Sequence, residues 1–169
     1  MTEVRAAVPA DADAVARVHV RSWRATYRGL IDQEYLDSLD AAAVASRYAF
    51  GRIGLQLPST LVAVDDSTIC GMVTTGLSRD ATLPNFGELM AIYVDPAYLR
   101  TGVGRALMTA ARRRLRQVGV AGALLWVLDG NESARRFYER DGWRFDGARR
   151  IVTFGDWPVA QLRYRLARV

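Results

Sequence analysis

The order of apolar and polar positions divides the chain into helical and extended stretches. In the first third, an apolar run at Val4–Val8 predicts a strand. Apolar residues at helical spacing then predict one helix over about Asp11–Thr26 and a second over about Gln33–Tyr48. Arg28-Gly29 separates the two helices, because glycine interrupts helical periodicity.

Beyond residue 58 the pattern changes to short apolar runs, which are typical of strands. Two of these runs flank Asp65-Asp66-Ser67 and predict a hairpin. A helical apolar face begins near Gly104, and a shorter helix runs from Asn131 to Asp141-Gly142. The strands predicted in this part are 61–64, 69–77, 88–94, 124–128, 145–154 and 162–166. Together these elements predict a mixed α/β sheet fold in one domain spanning 1–169.

The amino-acid composition excludes several classes of mechanism. The 23 basic residues are all Arg, so a Walker phosphate loop and every mechanism that uses a Lys are excluded. Cys70 and His19 are the only residues of their types, which excludes a disulfide within the chain and a Cys/His zinc site. We therefore expect no metal.

The net charge of +5 would suit an anionic partner, but an Arg-rich, Lys-free composition is better explained by the base composition of the gene. We expect no nucleic-acid partner. No stretch reaches the roughly 18 apolar residues of a membrane span, and residues 1–8 do not form a signal peptide. The single cysteine favours a reducing compartment, so the expected location is the cytoplasm.

The segment from Glu88 to Tyr138 carries the chemical signal. Gly102 and Gly104 lie between a predicted strand and a helix, where backbone amides and the helix dipole favour an anion. Three interpretations compete. A dinucleotide fingerprint would need a third glycine where Leu107 stands, although Asp129 lies near the position of a ribose-binding acid. The others are a plain strand-to-helix turn and a pyrophosphate cradle.

The segment resembles the GNAT superfamily of acetyl-CoA-dependent N-acetyltransferases. The resemblance rests on Glu88–Pro96, on Arg100–Arg105, and on Asn131–Glu139 with Gly142-Trp143. It covers the full length by element order, while the specific motifs lie in residues 88–143. One position departs from the family: Leu99 stands where Gln or Arg is usual, so no side-chain role is assigned to it.

The resemblance implies a mixed, largely antiparallel central sheet flanked by helices, with acetyl-CoA as co-substrate. The main chain of Ile92, Tyr93 and Val94 is implied to pair with pantetheine, on a strand that splays from the next. Asn131 is implied to contact the cofactor while capping its helix. The implied pyrophosphate cradle consists of Arg100, Thr101, Gly102, Val103, Gly104 and Arg105.

Two side chains are implied to take part in catalysis. Tyr138 matches the family's acid for the leaving thiolate, the alternative being a core aromatic beside Phe137. Glu88 stands where several members keep a general base, the alternative being a surface carboxylate at a strand end. His19 is interpreted as a packed or solvated residue, Trp23 as core, and Tyr27 as either core or amine pocket.

The expected function is direct acetyl transfer from acetyl-CoA to a primary amine of a small molecule or peptide. Cys70 lies away from the motifs and gives no reason to expect an acyl-enzyme. The alternative is a non-catalytic acyl-CoA-binding sensor or interaction module. Polyamines, aminoglycosides, amino acids and protein N-termini all stay open as acceptors. Homodimers are common in the family, but no sequence feature defines an interface.

Overall fold

The computed structural model describes residues 1–169. Seven strands and five helices follow one another, with short 3₁₀ turns before the first and fourth helices. The strands are β1 (Glu3–Ala6), β2 (Ser59–Asp65), β3 (Thr68–Leu77), β4 (Gly87–Val94), β5 (Ala123–Leu128), β6 (Arg144–Phe154) and β7 (Trp157–Leu166). The helices are α1 (Ala12–Thr26), α2 (Gln33–Ser38), α3 (Ala41–Ala45), α4 (Val103–Val118) and α5 (Glu132–Arg140).

All seven strands form one sheet in the order β1-β2-β3-β4-β5-β7-β6. Every neighbouring pair is antiparallel except β4 and β5, which are parallel. The predicted fold class is therefore confirmed. No helix combines the length and apolar character that a membrane span requires.

The segment predicted as one helix over Gln33–Tyr48 forms two short helices instead. Leu39 adopts an extended conformation with ψ 123°, which ends α2. The carboxylate of Asp40 then accepts a hydrogen bond from the amide of Ala43 and caps α3. An aspartate that caps a helix start stabilises a break in the chain that apolar spacing alone does not reveal.

Alternating residues of the strands separate two apolar layers, one on each face of the sheet. On one face, Leu125 and Leu107 belong to the main core beneath α4, together with Tyr138 and Trp143. On the other face, α1 to α3 cover three smaller clusters, one of which contains Leu128. Leu124, Trp126 and Leu128 therefore lie on the face opposite Ala123, Leu125 and Val127, as strand alternation requires.

The first turn of α4 packs directly on β3 at Gly71. A Cβ at this position would lie 2.9 Å from Leu107 Cδ1 and 3.0 Å from Val103 Cγ1, so only glycine permits the contact. Val103 and Leu107 are fully buried at this contact. The position of the α4 N-terminus is thus fixed by core packing.

Candidate active site

The parallel strands β4 and β5 part soon after they meet. They pair only at Gly87 with Ala123 and at Glu88 with Leu124. The register between β3 and β4 shifts at Thr74 and Thr75, which leaves one extra residue on β4. Such a bulge bends a strand and increases its twist. The result is a gap between β4 and β5, here called the strand gap.

The strand gap exposes main-chain groups of β4. The amide of Asp95 donates to Cys70 O at 2.8 Å, so it faces β3. Because antiparallel pairing alternates along a strand, the main-chain groups of Tyr93 also face β3, while those of Ile92 and Val94 face the gap. Of the three residues predicted to pair with pantetheine, Ile92 and Val94 therefore present their main chain to the gap. The main chain of Tyr93 faces β3, and its ring packs beside His19 on the α1 side.

At the start of α4 a run of amides has no acceptor in the protein. None of the N–H groups of residues 100–105 donates to a protein atom. Gly102 caps the helix in the left-handed region with φ 94°, and Arg100 has φ 64°. Thr101 Oγ1 donates to Tyr98 O at 2.6 Å and so fixes the loop. A 16-residue helix adds its positive dipole end to these free donors, an arrangement suited to phosphate.

Helix α5 lies beside this loop. A Cβ on Gly104 would lie 3.5 Å from the Phe137 ring, so the first turn of α4 packs on α5. Asn131 is buried and caps α5, its Oδ1 accepting from the amide of Ala134 at 3.3 Å. Its side-chain N–H groups make no hydrogen bond to the protein and so stay free for a ligand.

Tyr138 is buried in the core beneath α4, but its hydroxyl has no hydrogen-bond partner. The only fully enclosed unpaired side-chain atoms are Trp23 Nε1 and Arg114 Nε, so the Tyr138 hydroxyl still meets open space. Burial, with a smaller contribution from Tyr93, raises the pKa of Tyr138. The phenol therefore keeps its proton at every physiological pH.

Three phenols are divided between the two faces of the sheet, with Tyr27 and Tyr93 both packed against Trp23 on the α1 side. Tyr138 belongs to the α4 side of the sheet, whereas Tyr27 packs in the cluster with Leu128 on the α1 side. Burial raises the pKa of Tyr27, and the charges of Tyr93 and Tyr138 raise it further. Burial likewise raises the pKa of Tyr93. Sequence reasoning assigned no side-chain role to Tyr93, because the packing of its ring against α1 depends on how the sheet is assembled.

Aromatic side chains of α1 cover the α1 side of the gap. Trp23 contacts Tyr27, with ring centroids 4.9 Å apart, and Phe154 at 5.4 Å. His19 packs 4.8 Å from Tyr93, and its Nδ1 lies 2.7 Å from the Tyr48 hydroxyl. Burial, assisted by the charge of Arg47, lowers the pKa of His19 to about 4. His19 is therefore a packed, neutral residue at pH 7.

Glu88 lies where the two strands part, and it is 3% exposed. Its Oε1 accepts from the backbone amide of Arg79 at 3.0 Å, and its Oε2 accepts from Arg79 Nε at 3.1 Å and from the same guanidinium's Nη2. The Arg79 side chain is 63% exposed, so an exposed cation covers a buried carboxylate. Glu88 is thus a buried residue and not a surface one.

A family model described as the Acetyltransferase (GNAT) family matches residues 19–143. The uncharacterized N-acetyltransferase YuaI of Bacillus subtilis is 34% identical over 134 residues, which are 79% of this chain and 75% of YuaI. The spermidine N(1)-acetyltransferase of Thermoplasma acidophilum is 24% identical over 148 residues, covering 85% of this chain and 89% of that protein.

Solved structures agree on the fold. The crystal structure of PaiA N-acetyltransferase from Thermoplasma acidophilum in complex with coenzyme A superposes with a TM-score of 0.71 at 21% identity, covering 95% of this chain and 98% of PaiA. The family model spans most of the chain, including the strand gap and the start of α4. The chain belongs to the GNAT family and is an acetyl-CoA-dependent N-acetyltransferase.

Proposed function

We propose that the protein acetylates a primary amine of a small molecule or peptide by direct attack of the amine on acetyl-CoA. The observation that carries the proposal is the strand gap with free donors at the start of α4; the unpaired Tyr138 hydroxyl, which still meets open space, also supports it. The single cysteine does not compete as a nucleophile. Cys70 is fully buried, its thiol donates to Ala63 O, and burial raises its pKa, so an acyl-cysteine step is disfavoured.

The residues present fit acetyl-CoA. Six consecutive free amides at a helix start, flanked by the exposed Arg100 and Arg105, would hold the pyrophosphate. The open main-chain groups of Ile92 and Val94 would pair with the amide groups of pantetheine. Asn131 would donate its free side-chain N–H groups. Bound acetyl-CoA supplies the acetyl group as an activated thioester.

Within this arrangement the protein's own groups have separate tasks. A β4 amide that faces the gap would stabilise negative charge on the reacting carbonyl oxygen, as preorganised donors do. Tyr138 would donate a hydrogen bond to the departing sulfur. Because its pKa is raised, the phenol is a weak acid and is better suited to stabilising a thiolate than to protonating it completely.

The test is release of free thiol from acetyl-CoA across a panel of primary amines. We expect release that depends on one class of amine and yields a stoichiometric amount of acetylated product, identified by mass spectrometry. Acetyl-CoA binding in calorimetry without amine-dependent thiol release would contradict the proposal and favour a binding module.

We further propose that Glu88 removes the proton from the incoming ammonium through water. Glu88→Gln should lower the rate at neutral pH, with partial recovery at higher pH, where free amine is more abundant. The measurement is the pH dependence of kcat/KM.

Arg79→Gln provides the matched comparison for Glu88, because it keeps the carboxylate and removes its cationic cover. If Glu88 is the base, this variant stays active at neutral pH, where Glu88→Gln loses rate, because the carboxylate is still present. A Glu88→Gln profile that overlays the parent's would exclude Glu88 as the base.

A further inference from the structure

Charged side chains cluster on the α1-side face of the sheet, next to the strand gap. Arg163 pairs with Asp80 at 2.9 Å and with Asp146 at 2.7 Å. Arg165 lies 3.8 Å from the same Asp146. Glu88 is paired with Arg79. We call this set the polar floor; it comprises Arg79, Asp80, Glu88, Asp146, Arg150, Arg163 and Arg165.

Arg150 is the member of the polar floor without a carboxylate partner. No Asp or Glu oxygen lies within 4.0 Å of its guanidinium. The four arginines face three carboxylates, so one positive charge stays uncompensated, and it resides on Arg150. A site with a fixed excess charge favours a ligand of the opposite sign.

Arg150 is nevertheless held in place. Its guanidinium stacks on the Trp126 ring, 4.2 Å from the ring centroid. Its Nε donates to Gln161 Oε1 at 2.7 Å, while its Nη groups donate to no protein atom. An arginine that is oriented by a stack and one hydrogen bond keeps its remaining donors in a fixed fork, the geometry that matches a carboxylate.

The position of Arg150 connects it with the site. Trp126 follows Leu124 by two residues on β5, so it lies just beyond the last β4–β5 pair and on the α1 side. Four residues further along β6, on the same face, Phe154 contacts Trp23. Burial lowers the pKa of Arg150, and the charges of Glu88, Arg79 and Asp80 also act on it. Arg150 is exposed and is therefore accessible to a ligand from solvent.

We propose that Arg150 binds a carboxylate of the acceptor, so that the substrate class is an amine that also carries a carboxylate, such as an amino acid or a short peptide. The inference rests on the proposed function, since it names the acceptor of that same site. A charge-assisted, two-pronged pair supplies both affinity and orientation for the attacking amine.

The test compares Arg150→Gln with the parent on two series of acceptors: free amino acids, and the same amino acids as carboxamides. We expect the parent to use the free acids. Arg150→Gln should lower kcat/KM for the acids at least about tenfold and change the carboxamides by less than about threefold. For each acceptor we take the ratio of kcat/KM in the variant to kcat/KM in the parent. Because each ratio is taken on one amine, the different basicities of the acids and the carboxamides cancel when the ratios are compared.

Arg149→Gln is the matched control. Arg149 precedes Arg150 on β6, points to the other face and pairs with Asp129 at 3.1 Å. We expect it to leave both series unchanged. Acetyl-CoA affinity measured by calorimetry, unchanged in both variants, shows that each is folded.

The outcomes separate the two proposals. Equal losses on acids and carboxamides would overturn the role of Arg150. Thiol release with carboxamides or with spermidine but not with the acids would also overturn it, while the proposed function would stand. If no amine of either series or of the wider panel supports thiol release, the proposed function itself is contradicted.

Discussion

Tyr138→Phe should lower kcat by roughly 100- to 10,000-fold, the range typical of a lost general acid or donor. The ring and its packing against Trp143 are kept, while the Tyr138 hydroxyl, which has no partner in the protein, is removed. Stability should change little, because an unpaired hydroxyl contributes no hydrogen bond to the folded state. Calorimetry should give an acetyl-CoA affinity close to the parent's.

The pH dependence of this effect follows from the raised pKa of Tyr138. Since the phenol stays protonated, the loss should be uniform between pH 6 and pH 9. Tyr164→Phe is the matched control: its hydroxyl donates to Glu139 and accepts from Arg135, so the loss should appear in stability and not in kcat. A Tyr138→Phe rate within about twofold of the parent, with chemistry shown to limit turnover, would return Tyr138 to a packing role.

Gly104→Val should weaken acetyl-CoA binding by about 5- to 150-fold, which corresponds to the ~1–3 kcal/mol typical of overpacking. The added Cβ already meets the Phe137 ring at 3.5 Å, so the two methyl groups of valine must displace the ring or the first turn of α4. Either movement disturbs the free amides that are proposed to hold the pyrophosphate.

Gly104→Ala separates this effect from a general change of helix stability. A Cβ alone makes an ordinary contact with Phe137, and alanine is the better helix former. Its affinity should stay within about threefold of the parent's, with equal or higher resistance to urea. Unchanged affinity in a folded Gly104→Val variant would contradict the assignment of the cradle.

The features that sequence reasoning predicted correctly are local ones. The strand periodicity, the glycines at the start of α4 and the Asn cap of α5 each depend on a few neighbouring residues. The break at Leu39 was missed because a cap by Asp40 competes with apolar spacing over the same residues. β7 begins at Trp157 and not near residue 162, since its first half is held by pairing with β6.

The candidate site likewise combines features that are local in the sequence with features that are not. Tyr138 and the residues at the start of α4 were proposed from motifs within one segment, and these roles stay predictions. The ion pair between Arg79 and Glu88 connects the two ends of the loop between β3 and β4. The contact of Arg150 with Trp126 connects β6 to β5 across β7. Such contacts depend on strand order and register, which no single stretch of sequence encodes.

The two faces of the sheet carry different groups of residues, which protein engineering can change separately. The amides of the α4 loop stand on the core beneath α4, while Trp23, Phe154 and Arg150 lie on the opposite face. Substitutions at sites that share no partners add independently in free energy. A library restricted to α1, α2 and the β6–β7 hairpin should therefore vary acceptor choice at little cost to acetyl-CoA affinity, because most of its positions lie away from the start of α4, where we propose that acetyl-CoA binds.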